Sequence, residues 1–192
     1  MATATATPAS TTTWKLDPAH SAAEFRVKHM MISNVKGSLS NLSGVLIEDP
    51  VDPRQSSIEA SIDVSTLSTG DAQRDGHLKS ADFFDVEKFP TMTFKSTLVK
   101  KIGQHEHAVT GDLTLHGVTR PVTFAVEGPS APGKDPWGNT RIGLLATTKI
   151  NRKDFGINWN KTLDNGGTVL SDDVNIVLHI EANKPEAEAA KK

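Results

Sequence analysis

Cysteine is absent from the 192 residues, and aromatic residues make up only 5% of them. Without thiols, disulfides, thiolate nucleophiles and cysteine-ligated zinc are excluded together, while either an oxidising or a reducing compartment remains compatible. An excess of one charge is also missing. The 21 Lys and Arg and 23 Asp and Glu, net charge -2, are mixed along the chain, leaving no basic stripe to track a phosphate backbone. Nucleic acid is therefore not an expected partner. No window approaches the roughly 20 consecutive apolar residues of a membrane-spanning helix, so a soluble chain with no membrane-spanning segment is expected. Gly-x-Ser-x-Gly, the phosphate-cradling Gly-rich loop ending in Gly-Lys-Ser/Thr and His-Glu-x-x-His are all lacking, which weakens the case for an enzyme.

The first thirteen residues are Ala- and Thr-rich, with neither the basic nor the apolar region of a secretory signal. As written, the chain reads as cytoplasmic; a removed leader would make it periplasmic or secreted. Loose tails are expected over 1–13 and 184–192. One domain over 14–183 is expected between them, because a domain takes about 100 to 200 residues.

What the sequence has in abundance is alternation. Ile58, Ala60, Ile62 and Val64 alternate with Ser57, Glu59, Ser61 and Asp63, and Val174, Ile176, Leu178 and Ile180 alternate with Asp173, Asn175 and His179. This period of two predicts strands with one buried and one wet face. The same pattern places Ala23, Phe25 and Val27 on one face, and likewise Met92, Phe94 and Leu98; Leu113 and Leu115; Val122, Phe124 and Val126; and Ile142, Leu144, Ala146 and Ile150. Turn residues between the runs predict an all-β antiparallel meander of about eight strands, closed into a single β-barrel so that no long edge is exposed. One helix is predicted from an Asp71 N-cap through Ala72 to Leu78, placed over one barrel end.

A barrel of that size is either filled by its own side chains or left open for one small ligand. Periodicity alone leaves both readings open, although the inward residues are mostly Ile, Val, Leu, Ala, Met and Thr, with few bulky fillers. Polar candidates are scattered. His105-Glu106-His107 carries two His at strand spacing but has no evident third ligand, so it is assigned to a solvated turn and no metal is expected. Arg74, His77 and Lys79 lie on the helical interruption, either as a solvated face or as contacts to an anionic head group. Lys149, Arg152 and Lys153 flank Phe155 to Trp159, which reads either as a plain strand end or as a lipid portal.

Several motifs, in this order, resemble the YceI-like family of lipid-binding proteins from about Trp14 to Ala182. They are Leu16-Asp17-x-x-His20-Ser21 with Phe25-x-Val27-x-His29, then Arg74-Asp75-x-His77-Leu78-x-Ser80-x-Asp82-Phe83, and Phe89-Pro90-Thr91 with Phe94-x-Ser96. Gly111-Asp112-Leu113-Thr114-Leu115-x-Gly117-Val118-Thr119-x-Pro121-Val122, Asp135-Pro136-Trp137-Gly138 and Ile150-x-Arg152-x-Asp154-Phe155-Gly156 complete the series. The resemblance implies an extended lipocalin-like barrel with an elongated apolar cavity for polyisoprenoids such as quinones or polyprenyl diphosphates, or for fatty-chain amides. It also implies frequent dimers, no catalytic residues and no cofactor beyond the bound lipid.

The lining expected on this basis comprises Phe25, Val27, Ile62, Met92, Phe94, Ile142, Leu144, Phe155 and Trp159, with His20, Arg74, His77 and Arg152 as head-group donors. Two other functions compete: an enzyme acting on an isoprenoid-type lipid, and a solid-cored, stress-related interaction protein. A carboxylate bonded to His20 or His77 within a cleft would favour the enzyme. A filled lumen would favour the solid protein, and a continuous apolar cavity would favour binding.

Overall fold

The computed structural model of the chain describes residues 11–164 and 166–185. Its strands are β1 (Thr12–Leu16), β2 (Ala22–His29), β3 (Ser33–Leu39), β4 (Ser43–Glu48), β5 (Ser57–Asp63), β6 (Thr91–Lys101), β7 (Glu106–Leu115), β8 (Val118–Glu127), β9 (Gly133–Lys134), β10 (Thr140–Asn151) and β11 (Leu170–Asn183). A single α-helix among the described residues, α1 (Ala72–Lys79), lies between β5 and β6. Most of the two expected tails lies outside the described residues, but Thr12 and Thr13 already belong to β1.

Eight strand positions close the barrel, because β1 and β2 act as one bent strand and β3 and β4 as another. β2 pairs with β11 from Leu170 opposite His29 to His179 opposite Ala22, and β1 continues along the same edge at Leu16 opposite Ala182. β3 runs beside β2 and β4 beside β1, interrupted at residues 40–42. The sheet then proceeds β4–β5–β6–β7–β8–β10, and β10 meets β11 from Arg141 opposite Asn183 to Asn151 opposite Asp173. All these pairings are antiparallel, as hairpin connections require.

In one place the alternation changes phase. Between Ser96 and Leu98 the β6–β7 register shifts by one residue, so Val99 is buried while Leu98 is half exposed. A bulge adds a residue to one strand and reverses every side chain beyond it. Leu98 therefore does not share the inward face of Met92 and Phe94, contrary to the sequence expectation.

The excursion from Val64 to Pro90 covers one end of the barrel. Asp71 caps α1 by accepting from the Arg74 amide at 2.9 Å. Leu78 and Phe84 then pack against both walls of the barrel.

Candidate functional site

Buried apolar residues form two clusters. One gathers Trp14, Leu16, Ile142, Ile180 and Ala182 with the inner ends of β2, β3 and β5. The other gathers Phe124, Ala146, Ile150, Phe155 and Ile157 around β7, β8 and β10. Between them Met92, Phe94, Leu144, Ile176 and Leu178 point inward yet are only partly buried. Inward apolar groups stay accessible only when nothing fills the space they face, and a cavity of about 1180 Å³ occupies that space. Protein interiors otherwise close-pack with few voids larger than a water molecule. The solid-core reading is overturned.

The cavity runs the length of the barrel. At the α1 end its rim includes His29, Asn34, Arg74, His77 and Trp159; at the far end it includes Asp49, Lys101, Gln104, His105, His107 and Pro129. The lining between the rims is predominantly apolar. Its volume exceeds the roughly 300 to 1,000 Å³ of most small-molecule pockets.

The expected apolar residues divide by depth. Phe25, Val27, Ile62, Met92, Phe94, Leu144 and Trp159 line the cavity. Phe25 lies over Gly37 of the neighbouring strand, where any Cβ would collide with its ring. Ile142 and Phe155 do not line it. Ile142 shares the face of Leu144 but is plugged by the first cluster, opposite Ala182. Phe155 ends the 3-10 turn Arg152–Phe155, and left-handed Gly156 turns the chain so that its ring enters the second cluster.

The polar candidates separate further. His20 is outside the cavity, exposed on the corner between β1 and β2, with Nδ1 2.9 Å from Asp17 Oδ2. Asp17 also accepts from Arg141 Nη1 at 2.8 Å, and Arg141 Nε donates to Asp135 at 2.7 Å. The His20 bond, with the Arg141 guanidinium beside it, holds the Asp17 carboxyl well below the usual carboxylate range. Asp135 is lowered to about 2, chiefly by the Asn139 side chain and then by Arg141. These groups pin a surface corner and do not reach the lumen.

Arg152 is 4% exposed and touches the cavity, but its guanidinium is already engaged. It donates to the carbonyls of Ile157 and Trp159 at 2.8 Å, to that of Ser171 at 3.0 Å and to Asp172 Oδ1 at 3.4 Å. Burial lowers its pKa, partly offset by the charge of Asp172. Arg152 is thus a strut that fixes the 157–160 segment and, with it, Trp159, instead of a free head-group donor. Arg74 is more available. Its Nε and Nη2 bond Thr69 at 2.7 and 3.1 Å, and Nη1 makes no protein hydrogen bond among the described residues.

His77 sits edge-on to Phe83 and Trp159, with ring centroids 5.1 and 5.0 Å away, and its Nε2 is 2.8 Å from Asp82 Oδ2. This His–carboxylate pair does lie at the cavity mouth, although both side chains are over two-fifths exposed. His105 lies in the exposed bend between β6 and β7, as expected, whereas His107 is a half-buried residue of β7, so for it the assignment to a solvated turn is corrected; both reach the far rim of the cavity. No group of three or more metal-ligating side chains occurs among the described residues.

Alternation missed Leu78 and Phe84, which come from the end-covering excursion, and Pro129 to Pro132, which come from a loop. Loops have no period to read. Ala60, Ile176 and Leu178 carried the signal, since each shares the inward phase of its strand.

Comparison with known proteins agrees with this geometry. The YceI-like domain model matches residues 14–182. A UPF0312 protein of Pseudomonas putida strain W619 is 43% identical over 138 residues, covering 72% of this chain and 71% of its own. One of Vibrio cholerae serotype O1 is 42% identical over 139 residues, or 72% and 73% of the two chains. Among solved structures, Burkholderia cenocepacia BcnA superposes with a TM-score of 0.75 at 25% identity, covering 86% of this chain and 98% of its own. The Campylobacter jejuni YCEI protein gives 0.68 at 33%, covering 83% and 90%. A polyisoprenoid binding domain from Saccharophagus degradans shares the fold, with a TM-score of 0.64 at 18% identity over 90% of this chain and 98% of its own. With the family model spanning nearly every strand of the barrel, the chain belongs to the YceI-like domain family.

Proposed function

We propose that this protein binds an elongated apolar lipid of polyisoprenoid type in its barrel cavity, without catalysis, as a carrier or store. The observation that carries the reading is the unfilled lumen of about 1180 Å³, apolar along its length with polar groups at both rims. Burying an apolar chain contributes about 0.8 kcal/mol per CH₂, so a long tail can be held with no specific polar lock. Selectivity then follows cavity length, and a polar head meets Arg74 and His77 at one rim or Lys101 and Gln104 at the other. The description of the Saccharophagus degradans domain as polyisoprenoid-binding supports the same ligand class.

Titration with isoprenoid alcohols of increasing length, followed by intrinsic tryptophan fluorescence, to which Trp159 contributes at the cavity rim, tests this. Affinity should rise with length and then level off when the cavity is full. Equal affinity for all lengths, or none, contradicts the reading.

One observation favours an enzyme instead, namely the His77–Asp82 pair at the mouth. Incubating the protein with a polyprenyl diphosphate and analysing products by mass spectrometry separates the two. Binding predicts unchanged lipid, whereas turnover abolished by His77→Gln would establish catalysis.

A further inference from the structure

The hairpin between β2 and β3 turns on three consecutive apolar residues that the fold does not cover. Met30, Met31 and Ile32 are 42%, 58% and 83% exposed. Met30 and Met31 have φ values of 51° and 59°, and the Ile32 amide donates to the His29 carbonyl at 3.1 Å. That is a type I′ turn, for which Asn-Gly is the favoured pair because both central residues need positive φ. Methionine at both positions is conformationally costly and presents two flexible apolar side chains to the outside.

Two further features fix what this tip meets. It adjoins the cavity rim, since His29, Ser33 and Asn34 belong to the lining. Its stem is basic on the outer face. Arg26 lies directly opposite Lys36, Lys28 is one step nearer the tip, all three are exposed, and none forms an ion pair among the described residues. Like charges directly opposed on a sheet repel, and the one acid on this face of the two strands, exposed Glu24, lies further from the tip.

We infer that the β2–β3 tip is a bilayer-docking element, inserting Met30, Met31 and Ile32 below the head groups of an anionic phospholipid membrane while Arg26, Lys28 and Lys36 meet the phosphates. Three side chains at one tip are far short of the roughly 800 Å² per partner of a stable protein interface. They do suit shallow insertion, in which a few apolar groups act together with surrounding cations. The inference rests on the proposed lipid function, for which it supplies the route by which a membrane lipid reaches the cavity rim.

The test compares the full chain with the double variant Met30→Asn/Met31→Gly in co-sedimentation with phosphatidylglycerol–phosphatidylcholine vesicles. Because Asn-Gly suits the turn better than Met-Met, the variant should melt at or above the wild-type temperature while its vesicle affinity falls at least tenfold. Arg26→Gln/Lys28→Gln, neither of which lines the cavity, should weaken binding to these vesicles and flatten its salt dependence. Uptake of geranylgeraniol from solution should be unchanged in all variants.

Equal vesicle binding by wild type and the tip variant overturns the inference. So does a wild-type protein that takes up geranylgeraniol yet ignores vesicles, or a tip variant whose only change is from dimer to monomer, which would make the tip a contact between copies. A wild-type protein that docks through the tip but takes up no geranylgeraniol would sustain the inference and sink the proposed cavity function.

Discussion

The two apolar regions inside this barrel are built from the same residue types and behave differently. At the corner where β1, β10 and β11 meet, Trp14, Leu16, Ile142 and Ala182 touch one another and are at most 3% exposed. Along the lumen Phe94, Leu144, Ile176 and Leu178 face the same interior but meet open space. The difference is not hydrophobicity. It is whether inward side chains reach across to a partner, as Ile142 does beside Ala182, or stop short of one. Close packing is concentrated in the plugged corner and the second cluster, and the lumen stays open.

The most severe way to break this comparison is to hollow the packed regions. Leu16→Ala should cost about 3 to 4 kcal/mol, because the corner is dense and loss of the isopropyl group leaves a cavity there. Leu178→Ala, whose side chain already borders empty space, should cost markedly less. Equal losses in denaturant melts would mean that the lumen is packed in solution.

Arg152→Ala should come next, at about 2 to 3 kcal/mol, since it strands the carbonyls of Ile157, Trp159 and Ser171. Arg74→Ala should leave the melt nearly unchanged. It should instead weaken a polyprenyl diphosphate by about 1.5 to 3 kcal/mol relative to the matching alcohol if the head group meets that rim. A common effect of both substitutions on stability would remove the distinction between strut and donor.

Leu144→Trp sharpens the comparison from the other side. The ring has room in the lumen, so stability should change by less than about 1 kcal/mol while isoprenoid affinity drops. Ile62 is less suitable for this test. It lines the cavity but is also 7% exposed within the first cluster, so a ring there would be strained.

The smallest effect concerns acid. Asp17 and Asp135 both titrate below their unfolded value of 3.8, so their contribution is fully present above that pH and declines as pH falls toward 2. Asp135→Asn should reduce that decline without altering ligand uptake. An effect on uptake would connect the surface corner to the lumen.

These residues also show how far the sequence could be read. Alternation assigned Phe25, Phe94 and Leu144 to the interior correctly, because a period of two specifies a face. It carries no information about depth, so Ile142 and Leu144 looked alike although one is plugged and the other is open. A single-residue bulge at Thr97 reversed Leu98 and Val99 with no local warning. Motif resemblance grouped His20 with Arg74, yet the fold places His20 on an outer corner, where Asp17 and Arg141 hold it in a surface network. Arg152 looked like a free cation because its partners are carbonyls, which every sequence has everywhere.

Mass spectrometry of organic extracts from the purified wild type and Leu144→Trp tests most directly whether the open lumen holds a long apolar lipid. A long-chain isoprenoid lipid is expected near one equivalent in the wild type and strongly depleted in the variant, at nearly equal thermal stability. A wild type that carries no lipid and takes up no added isoprenoid, or a variant that retains the same lipid at the same level, would contradict it.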